Sequence, residues 1–314
     1  MSQILAVARY NVRMNRSQLL IPSDVRRTVL DWFGADGEGW LASLPDIVGR
    51  LTQEWRLVVG TPFAGASASL VLEVTRDDGT SAVLKVPFLD EESRTEPDAL
   101  RHYDGAGAVQ LYDMDRQSGA MLLERVRPGT SLAMHPNPDE AMEIACRLLR
   151  RLWHAPKATH PFQTVCDLAM KWATEIPTRH NQHGYPFPND LINQAAELAG
   201  ALAHADGNPV VVNRDAHFGN VLASEREGWL VIDPKPLVGD RSFDAGYMLL
   251  DRLGHIPTRT AADELVGKLA RGLGVHQRSV RSWAILRAVE NALWALDVRA
   301  SPAADLAKAA VLNV

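Results

Sequence analysis

The sequence is short of cysteine, of excess positive charge and of long apolar runs. Its 314 residues include two cysteines, Cys146 and Cys166. Two cannot make a disulfide framework, and these lack the close spacing of a zinc or redox pair, so a reducing cytoplasmic setting is expected. Lys and Arg number 33 against 38 Asp and Glu, a formal charge of -5. No global basic field exists to hold nucleic acid or anionic lipid, and a small polar or cationic partner fits better. No stretch approaches the ~20 apolar residues of a membrane span. The apolar patch at residues 4–8 is cut off by Arg9 and Arg13, too short for a secretory leader. No repeat period is present, and composition is biased only in a mildly Ala-rich tail, residues 300–310.

What is there is core material. With 46% hydrophobic and 23% charged residues, the chain has the balance of a globular protein, and its length suits two domains or one large two-lobed unit. A helix start is signalled at Pro22-Ser23-Asp24, with Val25, Val29, Trp32 and Phe33 at helical spacing, and a second helix is expected over 39–55. Strand patterns cover 56–61, 67–75 and 81–86, with Asp77-Asp78-Gly79 as a hairpin turn. A helix over 92–103 and strands over 109–112 and 120–125 follow. After Arg127-Pro128-Gly129 the texture becomes helical, over 139–153, 162–175, 189–205 and from 243 onward, with a last short helix in the Ala-rich tail. Short strands interrupt it at 209–212, 221–223 and 229–232. The expectation is an α+β fold: an N-terminal antiparallel sheet lobe with one inserted helix (1–127), a mainly helical C-terminal lobe (128–314), a hinge at Pro128-Gly129 and a ligand cleft at the junction.

The chemistry concentrates in residues 210–236, VVVNRDAHFGNVLASEREGWLVIDPKP. Asp215, His217, Asn220 and Asp233 sit in two short loops bounded by strands. Gly219 lets a tight turn aim Asp215 and Asn220 into one volume, and the turn at Glu227-Gly228 folds the strand before Asp233 back beside Val221. Two carboxylates and an amide then converge as oxygen ligands, a set that suits Mg²⁺, which keeps waters and substrate phosphates in its other positions. Asp215, Asn220 or Asp233 taken alone is explained by turn chemistry.

The DAHFGN run at 215–220 and the Ile232-Asp233-Pro234-Lys235 run resemble the catalytic and metal loops of the aminoglycoside phosphotransferase family, whose fold is similar to that of protein kinases. The IDPKP run, GDRSFD at 239–244 and EPDAL at 96–100 resemble most its streptomycin and hydroxyurea phosphotransferase branch. The resemblance spans roughly residues 60–294. It implies an ATP- or GTP-dependent, Mg²⁺-requiring kinase of a hydroxyl on a small polar or cationic molecule, with streptomycin foremost and hydroxyurea or a sugar as alternatives. By this likeness Asp215 is the base, and Asn220 and Asp233 hold the metal. Lys85 reaches the α/β-phosphates and pairs with Glu96, with Glu92 as the other choice. Gly65 and Ser67 lie in the phosphate-covering loop, Glu124 and Val126 at the purine edge. His217 braces the loop, and Asp244 bonds it or, failing that, caps the following helix. The chain departs from the family pattern before Asp215, where Asn213-Arg214 stands in place of His-Gly, which bears on the loop's supporting hydrogen bonds.

Lys235 is read either as a phosphate contact or as the partner of a nearby acid. Trp283, Arg287, Glu290, Trp294 and Asp297 form one helix stripe; Glu290, Trp294 and Asp297 are candidate contacts for a cationic acceptor, against the plainer reading of a salt-bridged helix edge. The competing functions are a non-catalytic nucleotide sensor on a kinase fold and a metal hydrolase built on His217 and the two aspartates.

Overall fold

The computed structural model describes residues 19–204, 208–254 and 257–313. The apolar patch at 4–8 and the end of the helix expected to reach 205 lie outside the described residues. The chain divides into two compact units, one built from residues up to Phe88 together with Asp113–Arg125, the other from Leu89–Tyr112 and everything from Val126 on.

The first unit is a five-stranded sheet in the order β1-β2-β3-β5-β4, with β1 Val58–Pro62, β2 Ser69–Thr75, β3 Ser81–Pro87, β4 Leu111–Met114 and β5 Met121–Glu124. Along β2 and in the first half of β3 buried side chains alternate with more exposed ones, because successive residues of a strand face opposite sides of the sheet. Leu70, Leu72, Val74, Ala82, Leu84 and Val86 thereby line one core, and Val25, Val29, Leu41, Leu44, Val48 and Leu51 cover it. The covering residues come from α1, Ser23–Glu54, which is broken at Gly34 (φ 52°, ψ -123°). The break explains why the sequence reads as two helices. That backbone conformation is open to glycine and strained for any residue with a Cβ. Past the break, Trp40 Nε1 donates to the Pro87 carbonyl at 3.0 Å, and Phe33 stacks on Phe88 with ring centroids 3.9 Å apart.

The second unit takes α2, Glu96–Tyr103, which the sequence reading grouped with the sheet. The reason lies just after the helix, where residues 105–109 are bonded to the hairpin of β8, Val221–Ser224, and β9, Gly228–Val231. Val231 N–H donates to the Gly107 carbonyl at 2.9 Å and Val109 N–H to that of Val231 at 3.0 Å. Gly107 N–H also donates to Glu227 at 3.0 Å, and Arg226 to the Gly105 carbonyl at 2.8 Å. Two strands escaped the sequence reading: β6, Pro128–Ser131, which pairs with β8, and β10, Pro236–Gly239, which pairs with β7, Val210–Asn213. Both carry proline and glycine, residues that read as turn formers and are depleted from strands.

The remaining elements are helices: α3 Pro138–Leu152, α4 Val165–Gln182, α5 Asn189–Leu202, α6 Ser242–Arg252, α7 Arg259–Leu273, α8 Gln277–Asp297 and α9 Ala303–Leu312. Asn137 and Thr164 cap α3 and α4 through their side-chain oxygens, satisfying first-turn amides that have no partner within the helix. α6 and α8 meet closely: a Cβ at Gly246 would lie 2.6 Å from Cβ of Trp283, and Trp283 is buried as the sequence pattern suggests for the tryptophans. Among the described residues no helix is long and apolar enough to cross a membrane.

Two glycines of α1 test this description. Gly34→Ala is expected to cost about 1–3 kcal/mol through backbone strain. Gly39→Ala, helical and with open space around it, is expected to gain up to about 1 kcal/mol from helix propensity. Urea unfolding of the two variants checks the contrast.

Candidate active site

Two short antiparallel pairings build the site. In one, Pro236 lies opposite Asn213, so the residue after β7 and the residue before β10 leave the pair side by side. In the other, Val221 lies opposite Val231, so Asn220 and Ile232 come next to each other, and Ile232 N–H donates to the Asn220 carbonyl at 2.9 Å. Asp215, Asn220, Asp233 and Lys235 thus belong to two facing loops held at both ends by strands.

Asn213 joins the loops. Its Oδ1 accepts from Asp215 N–H at 3.1 Å and from Lys235 N–H at 2.9 Å, while Arg214 N–H donates to the Lys235 carbonyl at 2.8 Å. This residue stands where the family pattern has histidine, and its side chain supplies supporting bonds of the loop. Asp215 then receives Asn220 Nδ2 on its Oδ2 at 3.2 Å and Lys235 Nζ on the same oxygen at 3.4 Å. With its amide nitrogen so engaged, Asn220 keeps its Oδ1 as an oxygen donor for a cation. Asp233 sits at φ 51°, in the left-handed region that aspartate tolerates better than bulkier residues. Asn220 and Asp233 offer the hard oxygen donors that Mg²⁺ takes, few in number as that ion prefers. Among the described residues no three His, Cys, Asp or Glu side chains gather as a metal cluster, and the hydrolase alternative built on His217 and the two aspartates loses its metal site.

Helix α6 underpins the loop with three residues at helical spacing. Asp244, almost fully buried, accepts Asn213 N–H at 2.7 Å and Trp153 Nε1–H at 2.8 Å. It lies inside the first turn of α6 and bonds across to the loop; the position before the helix is Arg241. Tyr247, one turn on, faces the Asp215 carboxylate, and burial together with that negative charge pushes its hydroxyl up to about 12. Asp251, one turn further, accepts Phe218 N–H at 3.2 Å. Sequence reasoning named only Asp244; the three- and four-residue spacing to Tyr247 and Asp251 is the signal that could have found the others. His217 Nε2 stands 3.7 Å from Asp215 Oδ1 and its ring lies against Gly219, where a Cβ would come within 2.6 Å of it.

A second layer is cationic and aromatic. Arg214 pairs with Glu92 at 2.6 Å and lies over the buried Trp172 ring. Arg287 lies over both Trp172 and Tyr247 and donates to the Arg214 carbonyl at 3.3 Å. Glu92 also meets Lys235 Nζ at 3.3 Å, and so has partners within the loops themselves. Burial acts to lower the Lys235 ammonium, yet the carboxylates of Asp215, Glu92 and Asp233 outweigh it and hold the group well above the ordinary lysine range.

The remaining candidates stand apart. Lys85, in the interior of β3, and Glu96, at the start of α2, are both buried in their own units. Gly65 has φ 84° and donates its N–H to Asp24 at 3.0 Å, and Ser67 is exposed in the same loop. Glu124 ends β5, and Val126 is buried two residues on. The α8 stripe is a clasp: Glu290 pairs with Arg179 of α4 at 3.6 Å, and Asp297 binds Arg179 at 2.5 Å and His183 at 2.6 Å. Its two acids have cationic partners on and just after α4 rather than within the helix stripe, and Trp294 is 42% exposed.

The fold is protein-kinase-like. The choline kinase LicA from Streptococcus pneumoniae matches with a TM-score of 0.62 over 86% of this chain and 98% of its own at 11% identity. A macrolide 2'-phosphotransferase type I matches with 0.55 over 85% and 96% at 17% identity. The family is given by sequence: the model of the aminoglycoside/hydroxyurea antibiotic resistance kinases matches residues 54–299, and the chain belongs to that family. It is 35% identical to the streptomycin 6-kinase of Streptomyces glaucescens over 289 residues, 90% of this chain and 94% of that protein. To the hydroxyurea phosphotransferase of Kitasatospora aureofaciens it is 34% identical over 281 residues, 88% and 80% of the two chains. The protein is a phosphotransferase acting on a hydroxyl group.

Burial raises the Asp244 carboxyl from 3.8 to about 7, against the hydrogen bonds from Trp153 and Asn213 that favour its ionised form. The folded state therefore holds that proton more tightly than the unfolded chain, and this contribution to stability is full below pH 3.8 and lost as pH rises through about 7. Asp244→Ala removes the acceptors of Asn213 N–H and Trp153 Nε1–H and is expected to cost about 1–3 kcal/mol. The stability gap between the protein and this variant narrows from pH 4 toward pH 7, measured by urea titration at each pH.

Proposed function

We propose that the protein transfers the γ-phosphoryl group of ATP to a hydroxyl of streptomycin or a closely related aminocyclitol. The observation that carries this reading is the convergence of Asp215, Asn220 and Asp233 on two strand-anchored loops in a chain of this family. The streptomycin 6-kinases among its relatives, one of them from Streptomyces griseus at 33% identity, supply the acceptor class. A solved neighbour of the fold, LicA, is recorded in complex with AMP, which supports an adenine nucleotide as donor.

In this reading Asp215 orients the acceptor hydroxyl and takes its proton as that oxygen bonds to the γ-phosphorus. The bond to the β–γ bridging oxygen breaks, and the nucleoside diphosphate leaves with the electron pair. Asn220 and Asp233 would hold Mg²⁺, which supplies neutralisation of phosphate charge when bound. Lys85, Glu96, Gly65, Ser67, Glu124 and Val126 are assigned to nucleotide binding. Asn213, Asp244 and Tyr247 keep Asp215 in place, with His217 beside it. An acid-rich chain of formal charge -5 agrees with a guanidinium-bearing acceptor. Hydroxyurea is the second acceptor to test, because one relative is a hydroxyurea phosphotransferase.

An acceptor panel of streptomycin, other aminoglycosides, hydroxyurea and simple sugars, with ATP or GTP and Mg²⁺, is expected to give a mono-phosphorylated streptomycin by mass spectrometry. Nucleotide binding without product from any acceptor would favour the sensor reading instead. Asp215→Ala is expected to lower kcat by about 10²–10⁴-fold with nucleotide affinity nearly intact, and full turnover would refute the base. Asp233→Ala is expected to weaken binding of the metal-nucleotide complex, read by calorimetry with and without Mg²⁺.

A further inference from the structure

We propose that Lys235 is a catalytic residue: its ammonium, held between Asp215 and Glu92, contacts the phosphoryl group in transit. This rests on the reading of Asp215 as the base. Nζ lies 3.4 Å from Oδ2 of Asp215 and 3.3 Å from Oε2 of Glu92. Phosphoryl transfer places the acceptor oxygen against the base and the phosphorus a bond length beyond it. A cation this close to the base carboxylate therefore borders the oxygens on which the transferred group carries its charge.

The alternative, that Lys235 only neutralises acids, accounts less well for the arrangement. Glu92 already has Arg214 at 2.6 Å, so it does not need the lysine. The Lys235 backbone is fixed at both its polar groups, N–H to Asn213 Oδ1 at 2.9 Å and carbonyl from Arg214 N–H at 2.8 Å, so its position relative to the Asp215 loop is set. An ammonium has three donors; the two carboxylates take two. Its side chain remains 32% exposed. Among the described residues the other ion-pair partner of Asp215 is His217 at 3.7 Å, which makes Lys235 the permanent cation at the base. Through the step it keeps its proton: Asp215 takes the hydroxyl proton, and the lysine stabilises charge by position alone.

The test is steady-state kinetics of Lys235→Met and Lys235→Arg with ATP, Mg²⁺ and streptomycin, beside nucleotide affinity measured without acceptor. Lys235→Met is expected to lower kcat by about 10²–10³-fold while the ATP affinity and the acceptor KM stay within about threefold, and Lys235→Arg to retain a larger share of kcat. In Lys235→Ala, added methylamine is expected to restore part of kcat, which a merely structural role would not allow. A kcat of Lys235→Met within about threefold of the unaltered protein overturns the proposal. So does a loss that follows weakened ATP binding or a lowered Tm and is not rescued by amine. No acceptor-dependent product from the unaltered protein would overturn the proposed function and this inference with it, whereas normal transfer with an indifferent Lys235 overturns this inference alone.

Discussion

The candidate site depends on the register of two pairs of four-residue strands. Pro236 opposite Asn213 and Val221 opposite Val231 decide which residues leave the ladders together, and so place Asp215 beside Lys235 and Asn220 beside Asp233. A slip of one residue in either pair would turn that strand's side chains to the opposite face. In the first pair the register is tied by polar bonds: Lys235 N–H donates to Asn213 Oδ1 and Arg214 N–H to the Lys235 carbonyl.

Around that register the polar groups are arranged so that no acid stands alone. Asn213 satisfies amides of both loops, Asp244 satisfies the amide of Asn213, and the indole of Trp153 helps hold Asp244. Burying a carboxylate is costly unless hydrogen bonds repay it, and the raised Asp244 carboxyl shows the repayment to be partial. Nearer the surface, Glu92 and Asp215 share Lys235, and Arg214 takes the other oxygen of Glu92. The arginine that breaks the family pattern is thus placed by an acid from the segment preceding α2, and by Trp172 beneath it. Glu92, the other choice of partner for Lys85, pairs with Arg214 and Lys235.

Much of the fold was legible. Alternation on β2, the Asp77-Asp78-Gly79 turn, the capped helix starts and the helical texture after residue 130 are local signals, and most of the expected strands and helices stand within a few residues of their places, α4 running on to Gln182. What escaped was of two kinds. β6 and β10 begin with proline and are only four residues long, so their strand character comes from their partners. The grouping of α2 with the helical unit likewise comes from contacts distant in sequence, Gly107 with Glu227 and Val231.

For the site the division is similar. That Asp215, Asn220 and Asp233 fall in two short strand-bounded loops was legible from residue type, order and spacing. The role of Asn213 as the staple between loops, the contribution of Tyr247 and Asp251 and the engagement of Glu290 and Asp297 with Arg179 and His183 were not. Each depends on which helix packs against which, and that is settled by the summed burial of many apolar side chains rather than by any local motif. The scarcity of cysteine, of basic charge and of long apolar runs limited the kinds of protein this could be, and the sequence by itself determined the chemical groups available. Only the tertiary structure decided their partners, because a hydrogen bond or ion pair is selected by distance in space, and that distance is an outcome of packing the whole chain.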